Sequence, residues 1–214
     1  MAPYFRQVKS FVDVPQTDAG VDTLAFLEAA KGVVGIFDLL ESKLLSVVSN
    51  DINGNINKVR VRYDAAPTLS QTLEDLVKNE MAEKKSTATQ GLMWLIRGLS
   101  FTCKALQTTQ KQRREEKISK PEEKKELSDA FRGAYAVTLK PYHSFIVKPI
   151  FNTAMSACPS RDVLYTKLRE DKDGGEPESE EELDRLLDEW LLALDEILAR
   201  IDAFYDKHNF KKGL

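Results

Sequence analysis

Apolar residues recur at spacings of three and four over most of the chain, the period of an amphipathic α-helix. From Asp22, a residue type that caps helices, the run TLAFLEAAKGVVGIFDLLE brings Leu24, Leu27, Ala30, Val34 and Phe37 close to one face. In PTLSQTLEDLVKNEM, Thr68 and Gln71 stand at capping-box spacing, and Leu69, Leu73, Leu76 and Val77 fall along one side. GLMWLIRGLSFTCKALQ is apolar nearly all round, so it is expected to run through the middle of the molecule. The highly charged TTQKQRREEKISKPEEKKELS that follows, with Pro121 inside it, reads as a solvated loop with a frayed helix end. DAFRGAYAVTLK and YHSFIVKPIFNTAMSA make a further helical pair, separated at Pro141 and closed near Pro159, with Pro149 expected to kink the second. The acidic stretch from Arg169 to Glu182 reads as a mobile loop. Ser179 and Glu182 then form a capping box for a long last helix, whose stripe includes Leu183, Leu187, Trp190, Leu194, Ile197 and Ile201. No internal repeat is visible, and strand-like alternation is confined to the short VRVRY. The pattern predicts an all-α fold of about seven or eight helices, with residues 1–214 forming one domain.

One stretch sits awkwardly in that pattern. DINGNINK, residues 51–58, carries an Asn-Gly pair that ordinarily signals a hairpin turn. As a strand its register fails, because Ile52 and Ile56 are even while Val59, Val61 and Tyr63 are odd. In helical register Ile52, Ile56, Val59 and Tyr63 make one continuous face, and only Val61 falls outside it. A calcium loop fails too: such a loop needs Gly at its sixth position and a bidentate Glu at its twelfth, whereas Gly54 comes fourth and Arg62 twelfth. Gly54 inside a helix costs roughly 1 kcal/mol relative to Ala, which points to compensation by close approach of a neighbouring helix. The same register aligns Asp51, Asn55, Lys58 and Arg62 in a polar ridge, which spacing alone allows to be either a solvated surface or a binding site.

Composition narrows the function classes. The chain has 214 residues, 42% hydrophobic and 30% charged, with a net charge of −3, so it lacks the positive field that a nucleic-acid partner needs. No uninterrupted apolar segment is long enough for a leader or a membrane span. Cys103 and Cys158 are far apart and outside any CxxC pair, which fits buried, reduced thiols and a cytoplasmic location. His143 and His208 are the only histidines, no Glu-x-x-His occurs, and no G-x-S-x-G elbow is present, so the sequence calls for no metal, no cofactor and no enzymatic activity.

Three motifs, DINGNINK, GLMWLIRGLSF and PYHSFIVKPIF, occur in an order and at separations that resemble the glycolipid transfer protein family, in particular its fungal heterokaryon-incompatibility members. The similarity runs from about Phe26 to beyond Pro159. It implies a two-layer helical sandwich enclosing a lipid-chain tunnel, and a monomer that carries one glycosphingolipid between membranes. By the resemblance, Asp51, Asn55 and Lys58 hydrogen-bond the head-group sugar and the ceramide amide, with Trp94 as a stacking plate for the sugar ring. His143 donates to the ceramide carbonyl, and Leu139 and Phe151 line the tunnel. Phe145 matches an aromatic that touches membranes, and Ile146 and Lys148 add an apolar wedge and a cation suited to a transient interface.

The residue types fit that chemistry: a carboxylate, an amide and an ammonium cover the pairings of sugar hydroxyls, and an indole covers the apolar face of a pyranose. Two chains of roughly 30 methylenes would cost on the order of 20 kcal/mol to expose to water, so a carrier must wrap both. Arg97 reads either as a support for Asp51 or the head group or as one half of a structural ion pair. A ceramide-phosphate carrier and a helical scaffold or sphingolipid-sensing module without transfer activity are the rival functions. The C-terminal HNFKKGL lacks the tyrosine that closes the site in some family members.

Overall fold

The computed structural model describes residues 3–119, 125–171 and 174–212. Among them are nine α-helices and no strands: α1 (Tyr4–Gln7), α2 (Thr23–Leu39), α3 (Ser46–Ala65), α4 (Leu73–Ala82), α5 (Thr87–Ser119), α6 (Leu127–Thr138), α7 (Val147–Ser156), α8 (Arg161–Arg169) and α9 (Glu180–Lys207). α5 is the spine, with α3 along one flank and α6 along the other; α2, α8 and α9 supply the second layer. One continuous apolar core joins the layers, drawing Phe26, Ile52, Leu99, Phe131, Leu168 and Trp190 into the same cluster.

Local signals place most helix starts. Asp22 caps α2 by accepting from the Ala25 amide at 2.8 Å, and Ser179 caps α9 by accepting from the Glu182 amide at 3.1 Å. The Glu182 carboxylate binds Arg185 and Arg6, joining the N-terminal segment to α9. Phe5 and Phe11 in that segment pack edge-on to Trp190, at ring separations of 5.5 and 4.9 Å.

Several expectations need correction. Thr68 lies in a 3-10 turn, and α4 is capped by Thr72, whose hydroxyl accepts from the Asp75 amide at 3.1 Å. Leu69 is consequently exposed, while Leu73, Leu76 and Val77 are buried. The charged stretch expected to be a loop continues α5 as far as Ser119, because its polar groups have partners on α8 and α9. Arg113 reaches Asp184 at 2.5 Å, Arg114 pairs with Asp188, and Gln110 accepts from the Tyr165 hydroxyl at 2.7 Å. Pro121 lies outside the described residues. Pro149 does not kink a helix: α7 starts only at Val147, so the ring falls in the first turn, where a backbone N–H has no intrahelical acceptor. In the acidic segment after α8, Glu178 is held by Arg6 at 2.5 Å and its carbonyl by Arg169 at 2.5 Å. Residues 172–173 of that segment lie outside the description.

Candidate functional site

DINGNINK is helical, lying within α3. Ile52, Ile56 and Val59 are buried and Val61 is 59% exposed, as the helical register requires. Gly54 is not a point of close approach: nothing lies within 4 Å of where its Cβ would be. The close approach is at Gly91 and Gly98 on α5. A Cβ on Gly91 would fall 2.8 Å from Lys58 Cβ, and one on Gly98 would fall 3.4 Å from Ile52 Cγ1. Rising numbers on α5 thus meet falling numbers on α3, so the helices run antiparallel; Gly91 faces Lys58 and the Asn55 carbonyl, and Trp94 lies three residues further along α5.

The polar ridge divides by burial. Asn55 is only 3% exposed. It donates through Nδ2 to the Asp51 carbonyl at 2.9 Å and accepts through Oδ1 from Lys58 Nζ at 2.9 Å. The Asp51 carboxylate is bonded by no donor among the described residues, and Lys58 is its nearby counter-charge. Asp51 is exposed, but the surrounding protein partly desolvates its carboxylate and so raises its pKa, with Lys58 opposing the shift. Arg62 leaves the ridge for a two-pronged pair with Glu83, at 2.9 and 2.7 Å. The result is an acceptor without a partner beside a locked amide–ammonium pair.

Trp94 and His143 come together although 49 residues separate them in sequence. Their rings stack at 5.7 Å with 23° between planes. Backbone bonding from the His143 amide to the Leu139 carbonyl, at 3.1 Å, fixes the turn that carries the imidazole. Phe151 packs against the imidazole at 4.5 Å, and burial, then Lys148, holds His143 below its ordinary pKa. Arg97 forms no ion pair with Asp51; its guanidinium lies 3.7 Å from the Tyr142 ring and 5.0 Å from the Trp94 ring, a cationic edge to the plate.

Leu139 and Phe151 are 1% and 4% exposed. Phe151 stacks on Tyr135 at 5.5 Å, Tyr135 meets Phe101 at 6.4 Å, and Phe101 meets Phe131 at 5.2 Å, a series of rings that runs from Phe151 into the core. At the surface, Phe145 is 83% and Ile146 64% exposed, with Tyr142, Ile150 and Leu44 adding apolar surface. Lys148, in the first turn of α7, is half-buried. Four contributors escaped sequence reasoning. Tyr142 and Tyr135 act through contacts that no local period encodes, whereas the seven-residue spacing of Gly91 and Gly98 is a legible sign of close helix approach.

Residues 21–170 match the family model described as Glycolipid transfer protein. The chain belongs to the glycolipid transfer protein family. A family relative from Aureobasidium melanogenum, named glycolipid transfer protein, is 43% identical over 92% of this chain and 89% of its own. The crystal structure of HET-C2, a fungal glycolipid transfer protein, superposes with a TM-score of 0.82 at 43% identity, covering 95% of this chain and 96% of that one. The family fold of FAPP2, described as selecting simple glycosphingolipids, superposes with a TM-score of 0.83 at 28% identity, covering 98% of each chain. The two-layer helical architecture is therefore that of the family, and no helix among the described residues is long and apolar enough to cross a membrane.

Proposed function

We propose that this protein binds a single glycosphingolipid and carries it between membranes without chemical change to the cargo. The observation that carries the reading is the juxtaposition of an unpartnered Asp51 carboxylate and a locked Asn55–Lys58 pair with the Trp94 plate on the facing helix. Asp51 accepts from the ceramide amide and a sugar hydroxyl, Asn55 and Lys58 cover further hydroxyls, Trp94 stacks on the sugar, and His143 donates to the ceramide carbonyl. Leu139 and Phe151 line the path of the chains, and the ring series around them rearranges to admit two chains. Phe145, Ile146 and Lys148 form the transient membrane contact. The chain works as one domain and as a monomer in the cytoplasm, consistent with the free thiols Cys103 and Cys158, the former deeply buried.

A phosphate head group fits less well. Trp94 presents an aromatic face, which suits the apolar side of a sugar ring and offers a phosphate no cation, and the Arg97 guanidinium is taken up by the Tyr142 ring at 3.7 Å. The test is to incubate the protein with vesicles containing equal amounts of a neutral glycosphingolipid and ceramide phosphate, re-isolate it, and identify bound lipid by mass spectrometry. One neutral glycosphingolipid per chain is expected. Ceramide phosphate in its place would overturn the head-group assignment, and no bound sphingolipid would favour a scaffold role.

A further inference from the structure

We propose that Tyr135 is a positioning residue that fixes the tautomer of His143, so that Nε2 carries the proton offered to cargo. This deepens the reading above and rests on it for the role of His143. The Tyr135 hydroxyl lies 3.2 Å from His143 Nδ1. A neutral imidazole has one donor and one acceptor nitrogen, and which is which follows from the bond that the other nitrogen makes.

Two arrangements are open to the pair. If Nδ1 donated to the phenol, the phenol proton would need an acceptor of its own. Tyr135 is 2% exposed, and its hydroxyl has no second partner among the described residues. That arrangement strands a buried donor, which is costly. If the phenol donates to Nδ1, the buried phenol proton has its acceptor, and the one donor left over is Nε2–H on the half-buried imidazole. Burial also raises the phenol above its ordinary pKa, which keeps its proton in place.

The consequence falls at the far side of the ring. With Nδ1 as acceptor, the proton is on Nε2, and no protein acceptor bonds Nε2 among the described residues. The imidazole cannot turn freely to exchange its nitrogens, being held between Trp94 at 5.7 Å and Phe151 at 4.5 Å. Tyr135 is itself braced by its near-parallel stack on Phe151, with 10° between planes. A donor of fixed direction is thus prepared beside the Trp94 plate before any lipid arrives.

The test compares full-length wild type with Tyr135→Phe, which keeps the ring and its stack. Nitrogen-15 NMR of labelled histidine, recorded well above pH ~6.5 where imidazole is neutral, reads the tautomer; a His208→Gln background isolates the His143 signals. Wild type should show the Nε2–H form, and Tyr135→Phe should show a mixture or the Nδ1–H form. Affinity for glucosylceramide in phosphatidylcholine vesicles should fall roughly three- to tenfold in Tyr135→Phe, the worth of one hydrogen bond. An Nδ1–H wild type, or an unchanged tautomer in Tyr135→Phe, overturns the proposal whatever the lipid does. A switched tautomer with full affinity in both Tyr135→Phe and His143→Ala overturns the cargo role of His143 instead.

Discussion

Lys58 and Gly91 set the separation of the clamp helix from the plate helix: a methyl group on Gly91 would fall 2.8 Å from Lys58 Cβ and 3.1 Å from its Cδ. The first of these atoms is fixed to the α3 backbone and cannot swing away. The Lys58 side chain therefore passes over Gly91, which leaves room for it, on its way to Asn55 one turn back on the same helix.

Gly91→Ala should force α3 and α5 apart, costing about 1–3 kcal/mol in denaturant unfolding, as overpacking of a close contact does. Glycolipid affinity should fall with it, because the Asn55–Lys58 pair moves relative to Trp94. Gly54→Ala is the matched control. With open space around the site, it should gain about 0.5–1 kcal/mol of helix stability and leave transfer intact. Equal behaviour of the two variants would contradict this assignment of the close approach.

Asp51→Asn should separate binding from stability. A carboxyl whose folded pKa lies above its unfolded value favours folding when protonated, and that contribution is lost as pH rises through the folded pKa. At neutral pH the charged Asp51 therefore opposes folding, and the neutral amide should unfold at the same temperature as wild type or slightly higher. Glycolipid affinity should nevertheless drop roughly ten- to hundredfold, the loss of a charged hydrogen bond of about 1.5–3 kcal/mol. Calorimetry and vesicle transfer on the same preparation check both signs.

Trp94→Ala should abolish measurable glycolipid transfer while circular dichroism keeps its helical signature, since Trp94 only packs against the edge of the core. Retained wild-type transfer would remove the plate from the site.

Phe145→Ala removes the most exposed aromatic of the 142–150 segment. Burying a phenylalanine in an apolar phase is worth about 1.5–3 kcal/mol, so partitioning onto vesicles should weaken roughly ten- to hundredfold while affinity for cargo in detergent changes little. The reverse pattern, measured by flotation and by lipid titration, would take Phe145 off the docking face.

Acidification should destabilise the protein through His143. Burial and Lys148 hold its folded pKa below the ordinary value of about 6.5. Between the folded pKa and that value the unfolded chain binds the extra proton, so this contribution is complete above pH ~6.5 and is lost as pH falls toward the folded pKa. His143→Gln should flatten that part of the pH–stability curve.

The helical period alone determined the fold class and most helix faces, because burial on one side of a helix is written every three or four residues. It carried Ile52, Ile56 and Val59 inward and Val61 outward despite an Asn-Gly pair that reads as a turn. The motifs likewise brought Asp51, Asn55, Lys58, Trp94 and His143 into view as candidates. What the sequence did not settle were contacts between distant elements. The charged end of α5 stays helical because Asp184 and Asp188 arrive from α9 to meet Arg113 and Arg114. Asn55, aligned by sequence with a polar ridge, is buried because its own turn and Lys58 satisfy its amide. Gly54 and Gly91 look alike as letters, and only the placement of α3 against α5 shows which one needs to lack a side chain. Tyr135 gains its role from a turn that folds His143 back over α6. Periodicity reports how one element meets solvent; close approach, hydrogen-bond partnership and tautomer depend on which atoms a second element brings, and tertiary structure alone supplies those.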